Sequence, residues 1–475
     1  MLVYYLIIAI LIGTASVVNR NSTVRILLLA LFMILQTGIT IYAYLNLNGD
    51  DSGYFNYDAI GFIFLCVLTL LSFTTIYHSY IYLRHRHDDS RSQSLYFAAL
   101  IMLIVAMTFV YLASHIGVMW VFIEMTTLSV AVLIYHERTP LALEATWKYV
   151  FVCSIGITIT FIGIILLSFG LGETKAIDFS FNSLQVQLLS VDSSWLKLAF
   201  LFMIVGFCTK MGLFPMHTAA IDAHTVAPPP ISAFISTTLM NVGFVAIFRT
   251  YSLFAHTSIQ PWMNQVLLWC GLISIVVSAA YLLKVKHLKR MSAYSSIEHM
   301  GLAAIGLASG GIGYFAAIFH MVLHSFVKAS VFYQIDQFHR NFGTYIISDT
   351  GNYFNRNRPG AMVFLFVLIG IIAMPPSGLF VTEFWIFKAM FTSFHFFILI
   401  LALIFLSVTI YALAKNFLYI LFNQTKDLLP APRTRGVLGA ETWSQYFLLA
   451  LIFYFGIYPP AQMINLIQEA VKNLP

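Results

Sequence analysis

The stretch Phe319-His320-Met321-Val322-Leu323-His324-Ser325-Phe326-Val327-Lys328 decides how this chain is read. It sits inside an apolar run, 313–337, long enough to cross a bilayer core, yet it carries two imidazoles and an ammonium. The spacing i, i+4, i+8 sets all three along one helical stripe. A charge at the bilayer centre costs about 2.5–3.5 kcal/mol even on the lenient insertion scale, so such groups mark a pathway by default. The composition places the rest of the chain in the same solvent. Its 475 residues are 60% hydrophobic and only 9% charged, against about 25% charged in a soluble domain. A soluble enzyme, a disordered chain and a secreted disulfide scaffold are excluded. The apolar runs are continuous rather than alternating, which excludes a β-barrel.

Those runs divide the sequence into fourteen spans: 2–18, 24–46, 57–83, 95–114, 117–135, 140–170, 195–215, 229–250, 263–283, 289–309, 313–337, 361–390, 394–423 and 443–461. The fold expected is all-α, a polytopic membrane protein of about 14 transmembrane helices in two inverted repeats with broken spans seven and twelve. The expected organisation is 1–94 (spans one to three), 95–250 and 251–423 (two half-channels), and 424–475 (the last span and tail). The basic residues test this segmentation. Sixteen of the twenty-five fall in the odd-numbered connections: Arg20, Arg25, Arg84, Arg86, Arg91, Arg138, Lys284, Lys286, Lys289, Arg290, Arg340, Arg356, Arg358, Lys426, Arg433 and Arg435. The opposite face has Lys175, Lys197, Arg249 and Lys472, with Asp50, Asp51, Glu173, Asp178 and Asp192. This predicts a cell inner membrane protein with both termini on the non-cytoplasmic side. The net charge of +6 is therefore a topology signal, and no nucleic-acid partner is expected. Leu2 to Val18 has neither a basic leader nor a small-residue cleavage site, so no cleavable signal is expected. Cys66, Cys153, Cys208 and Cys270 stand far apart in apolar runs and read as small buried hydrophobes.

Five lysines remain inside the spans: Lys148, Lys210, Lys328, Lys388 and Lys415. Lys289 sits at the cytoplasmic lip of span ten, and Glu124, Glu144, Glu298, Glu383 and Asp336 are the acids at membrane depth. Glu124 has no basic neighbour within a turn, so its partner must come from another helix. Lys210 precedes Phe214-Pro215, and the chain then carries His217, Asp222, His224 and Pro228-Pro229-Pro230. Proline breaks a helix, and free carbonyls at membrane depth are tolerated only where buried in protein or lining a wet cavity. Met374-Pro375-Pro376 followed by Glu383 repeats the pattern. Paired interruptions of this kind point to an inverted-repeat transporter.

Histidines titrate near neutrality and relay protons. His320 and His324 could also hold a metal, but their helix alone supplies no third ligand, and no metal is expected. Glu298 and His299 read either as a branch of the relay or as glue between helices. Glu144 and Lys148, four residues apart, satisfy one another unless Lys148 turns toward Glu124. Lys388 and Lys415 reach for an interface, though Lys415 lies deep enough in span thirteen to count as a weaker pathway candidate.

These stretches resemble the antiporter-like membrane subunits shared by respiratory complex I, Mrp cation/proton antiporters and membrane-bound hydrogenases. Trp120 to Thr127 resembles the family's fifth-helix glutamate motif, Thr209-Lys210 with Pro215 its seventh-helix lysine, and Phe319-His320 to Lys328-Ala329 its central stripe. Pro375 to Phe384 resembles the branch that ends its second channel in glutamate. Leu143-Glu144-Ala145-Thr146-Trp147-Lys148-Tyr149 and Ser295 to Gly301 look most like component F of hydrogenase-4 and formate-hydrogenlyase-related complexes. Two departures stand out: Ala219, Ala220 and Ile221 precede Asp222, and only Thr238 and Asn241 lie where many members place a span-eight lysine.

The resemblance implies a proton-translocating, non-catalytic subunit of a redox-driven complex. The expected proton pathway is Glu124, Lys148, Lys210, Lys289, Glu298, His299, His320, His324, Lys328 and Glu383. No catalytic residue and no cofactor site is expected. Expected partners are the lipid bilayer, other membrane subunits and, through them, a peripheral redox module. Two alternatives stay open. One is a subunit of an Mrp-like sodium/proton antiporter or of an inorganic-carbon uptake system. The other is a self-contained membrane oxidoreductase binding haem or quinone.

Overall fold

The computed structural model describes residues 1–19, 21–86, 88–172, 178–423 and 439–475. Arg20, Glu173, Lys175, Lys426, Arg433 and Arg435 of the charge count above lie outside the described residues. The described chain is helical almost throughout. Its helices are α1 (Leu2–Val18), α2 (Ser22–Leu45), α3 (Ala59–Arg86), α4 (Ser90–Leu112), α5 (Ile116–Ile134), α6 (Pro140–Leu171) and the short α7 (Phe181–Gln187). There follow α8 (Ser193–Met211), α9 (Thr218–Val226), α10 (Pro229–Phe234), α11 (Met240–Phe254), α12 (Gln260–Leu282), α13 (Leu288–Ser309) and α14 (Ile312–Phe342). The last are α15 (Tyr353–Arg356), α16 (Arg358–Ile371), α17 (Gly378–Thr392), α18 (Phe396–Phe422), α19 (Gly439–Ile457) and α20 (Ala461–Val471). A two-stranded hairpin, Asp50–Asp51 with Phe55–Asn56, precedes α3.

Among the described residues, ten helices are long and apolar enough to cross a membrane, or eleven if the bent pair α19 and α20 is one span. Four of the expected spans take another form. The first, α1, is short, and the twelfth is split into α16 and α17. The last bends by 75° between α19 and α20. The tenth, α13, has the length but is too polar to count, since it carries Lys289, Arg290, four serines, Glu298 and His299. Its side chains are buried in protein nearly all round, so it need not be apolar toward lipid. The same logic runs through the bundle. α14 and the segment Pro229–Phe254 are almost wholly buried, whereas α2 and α18 are about one-third buried and turn large aliphatic and aromatic side chains outward.

Local chemistry sets the helix ends. Thr139 caps α6 by accepting from the Ala142 N–H, with Pro140 at the first position, where no donor is needed. Asn21, Asp192 and Ser377 cap α2, α8 and α17 the same way. α8 stops at Gly212, whose φ of +73° favours glycine. The two expected breaks are present. Residues 212–217, with a cis Phe214–Pro215 peptide, separate α8 from α9, and residues 372–377, with a cis Pro375–Pro376 peptide, separate α16 from α17. Between α10 and α11 the chain does not break but widens into one π turn, Ile235–Leu239.

Candidate functional site

The first cluster forms where α5, α6 and α8 meet. Lys210, one residue before the end of α8, is buried and donates to Thr127 Oγ1 at 2.7 Å and to the Tyr149 hydroxyl at 3.4 Å. Thr127 lies one turn after Glu124 and donates to Glu124 Oε2 at 3.2 Å, while Ser154 donates to Oε1 at 2.7 Å. Glu124 and Lys210 therefore form no direct ion pair; a hydroxyl stands between them. α11 crosses close behind the lysine because Gly243 has no side chain. A Cβ there would overlap the backbone of Lys210 and Met211.

The break after α8 exposes main-chain polarity to the interior. The Phe214 N–H donates to Ser274 Oγ of α12 at 2.9 Å. His224 of α9 faces the Ser232 carbonyl at 3.3 Å through Nδ1. That contact makes Nδ1 the donor, and Nε2 has no partner among the described residues. The Ala227 carbonyl, last before three successive prolines, accepts from Lys289 Nζ at 2.6 Å and from Ser232 Oγ at 3.0 Å. The Lys289 ammonium lies 5.0 Å from the Tyr345 ring centroid. Beside it opens a cavity of about 320 Å³ bordered by Glu137, Glu144, Lys148, Asp222, His287 and Arg290. Burial and the facing Lys289, Arg290 and His339 push the His287 imidazole down to about 4, so it is neutral at pH 7.

The second cluster joins α13, α14 and α17. Lys328 donates to the Ser292 carbonyl at 3.1 Å and to Ser295 Oγ, and it is the cation facing Glu298, three residues beyond Ser295. Glu298 Oε2 and both ring nitrogens of His324 lack partners among the described residues. The His324 ring lies 5.2 Å from that of His299. His299 Nδ1 is 3.1 Å from His320 Nε2 and 3.8 Å from Glu383 Oε1, and His320 Nδ1 is 2.9 Å from Thr382 Oγ1. Buried polar atoms without partners are costly, and orphans of this kind are normally satisfied by ordered water. The cluster is thus a buried polar file with hydrogen-bonding capacity left open.

The structure brings nine of the ten expected residues into these buried clusters or onto the break between them. Lys148 is placed differently: it pairs with Glu144 at 2.6 Å, both side chains more than half exposed at the cavity mouth, and Tyr149 faces the lysine of α8 instead. Lys388 and Lys415 are exposed. Asp336 pairs with Arg340, which also binds the fully buried Glu441. The intervening hydroxyls of Thr127, Tyr149, Ser295 and Thr382 escaped the sequence reading, whereas His224 is named there as a polar group of the break. Thr127 and Thr382 could have been found from their places three residues after Glu124 and one before Glu383.

This arrangement, ionisable groups on interrupted helices inside an apolar bundle, defines an antiporter-like membrane subunit. The chain belongs to the NADH:quinone oxidoreductase/Mrp antiporter transmembrane family, which residues 113–410 match. It is 31% identical over 370 residues to the hydrogenase-4 component F homolog of Methylacidiphilum infernorum (isolate V4), covering 74% of this chain and 78% of that one. A chain of the archaeal membrane-bound sulfane sulfur reductase shares the fold with a TM-score of 0.84 at 22% identity, covering 99% of this chain and 96% of that one. A chain of the Mrp complex of Dietzia sp. DQ12-45-1b does so with a TM-score of 0.86 at 15% identity, over the same shares. The family resemblance read from the motifs is borne out.

Proposed function

We propose that this subunit moves protons across the membrane as part of a redox-driven complex of the hydrogenase-4 and formate-hydrogenlyase kind, related to NADH:quinone oxidoreductase. The carrying observation is the pair of buried polar clusters, one at Glu124, Thr127 and Lys210, the other running from Lys328 through Glu298, His324 and His299 to His320 and Glu383. Lys289 of α13 donates to the Ala227 carbonyl at the α9–α10 break, His224 of α9 faces the Ser232 carbonyl across it, and Lys148 borders the same cavity as Lys289. Two charges about 4 Å apart interact by several kcal/mol at an effective dielectric near 20. Within a cluster, a charge gained or lost at that distance shifts the proton affinity of its neighbour, and each 1.36 kcal/mol is about one pKa unit. A neighbouring subunit that alters the first pair can drive the last group to release its proton.

In this reading the chain has fourteen spans. Residues 95–250 and 251–423 form two half-channels of opposite orientation, with 1–94 and 424–475 flanking them. The sorting of lysine and arginine supports both termini on the non-cytoplasmic side of the cell inner membrane. The redox chemistry belongs to a peripheral module reached through other membrane subunits. The test is proton uptake by proteoliposomes containing the whole complex during turnover. Glu383→Gln is expected to assemble and turn over but build no gradient; an intact gradient in that variant would refute the role of Glu383.

A further inference from the structure

We propose that His299, His320 and Glu383 form a binding site for a divalent transition cation, with Zn²⁺ as the ion of best fit. The three ligands come from α13, α14 and α17, so the site is assembled only by the fold. Their ligand atoms all lie within 4.8 Å of one another. Zn²⁺ binds imidazole nitrogen at about 2.0–2.1 Å in a tetrahedral shell, which sets ligand atoms about 3.3 Å apart. The observed separations from His299 Nδ1, 3.1 Å to His320 Nε2 and 3.8 Å to Glu383 Oε1, bracket that edge. Two imidazoles and a carboxylate leave a fourth position for water.

Hydrogen-bond accounting shows that the lone pairs point inward. The Thr382 hydroxyl donates its proton to the Leu379 carbonyl at 2.9 Å, so it can only accept from His320 Nδ1–H. The neutral His320 ring therefore carries its lone pair on Nε2, toward the other two ligands. Thr382 is the outer group that fixes the tautomer of a metal-binding imidazole. Without an ion, His299 Nδ1–H donates to His320 Nε2. With one, that proton moves to His299 Nε2, which is fully buried. Nδ1, Nε2 and a carboxylate oxygen then each give an electron pair to the metal, and no other bond changes. Glu383, at 12% exposure, is the one member that is not fully buried.

The effect on conduction rests on the proton reading above, since an ion held here would occupy the end of that path; the site itself does not. The test uses the whole complex, stripped with chelator and equilibrated with micromolar Zn²⁺. Metal content and the zinc X-ray absorption edge are compared among wild type, His299→Gln, Glu383→Gln and, as a control at a remote imidazole, His136→Gln. The expected result is one zinc per complex lost in the first two variants and kept in the third, with two imidazoles in the wild-type shell. Thr382→Val, which leaves the ligands in place, is expected to weaken zinc binding by about tenfold or more. Equal zinc content in all variants, or unchanged affinity in Thr382→Val, overturns the site. Zinc that binds at these residues yet leaves proton uptake untouched upholds the site and overturns the proton route.

Discussion

Lys210 reaches Glu124 only through Thr127, whose hydroxyl accepts from the ammonium at 2.7 Å and donates to the carboxylate at 3.2 Å. The hydroxyl stands between the two charges, which therefore form no closed pair. Thr127→Val preserves the shape and removes the bridge. It leaves a buried ammonium short of an acceptor, a loss of about 1–3 kcal/mol. The complex is expected to assemble with a lower melting temperature and to lose most of its proton uptake, while Thr127→Ser keeps both. Wild-type uptake in the valine variant would remove Thr127 from the route.

The close crossing of α8 and α11 gives a second prediction. In Gly243→Ala the new methyl meets backbone rather than a yielding side chain. Overpacking of this sort costs about 1–3 kcal/mol. Thermal unfolding of the purified complex should show that loss, and uptake should fall with it, because the methyl presses on the residue that carries the ammonium.

Arg249 holds a different junction. It pairs with Asp58 at 2.9 Å and donates to the Tyr111 carbonyl at 2.7 Å and to that of Ala113, closing the C-terminal end of α4. Asp58 is about 30% exposed, so the loss on breaking the pair is less than for a fully buried one, about 2 kcal/mol or more. Arg249→Gln alone is expected to lower the melting temperature clearly. Combining it with Asp58→Asn should recover part of the loss, since no unpaired charge then remains; a strictly additive double variant would contradict the pairing.

Lys148 and Lys289 share a cavity but differ in burial, so their variants are expected to behave differently. Lys148→Ala removes an exposed pair that adds little to stability, and most of the uptake rate should survive. Lys289→Met removes the buried ammonium bound to the Ala227 carbonyl and should abolish uptake. Initial rates in inverted vesicles measure both; equal losses would contradict the distinction between the exposed and the buried lysine.

The bundle was legible because lipid demands continuous apolar runs, and the breaks were legible because Pro215 and Pro375 cannot continue a helix. Glu124, Lys210 and Lys328 were legible for the complementary reason, that charge in an apolar run needs a cause. Which groups touch was not legible. That Glu383 meets His299 and His320, and that Tyr149 rather than Lys148 faces Lys210, depends on the rotation of each helix about its axis. Rotation is set by packing over the whole bundle, such as the glycine crossing at Gly243, and leaves no mark on spacing within one helix. The polar surface of α13 is the converse case, since enclosure by neighbours relaxes a rule that governs its lipid-facing companions.

The carbonyl of Ala227 accepts the ammonium of Lys289 because the prolines after it leave a bend there. Kink and cation thus depend on one another, because a continuous helix would claim that carbonyl for itself. In descendants of this sequence, straightening at Pro228 and retention of Lys289 ought to be mutually exclusive, and the two positions should drift together.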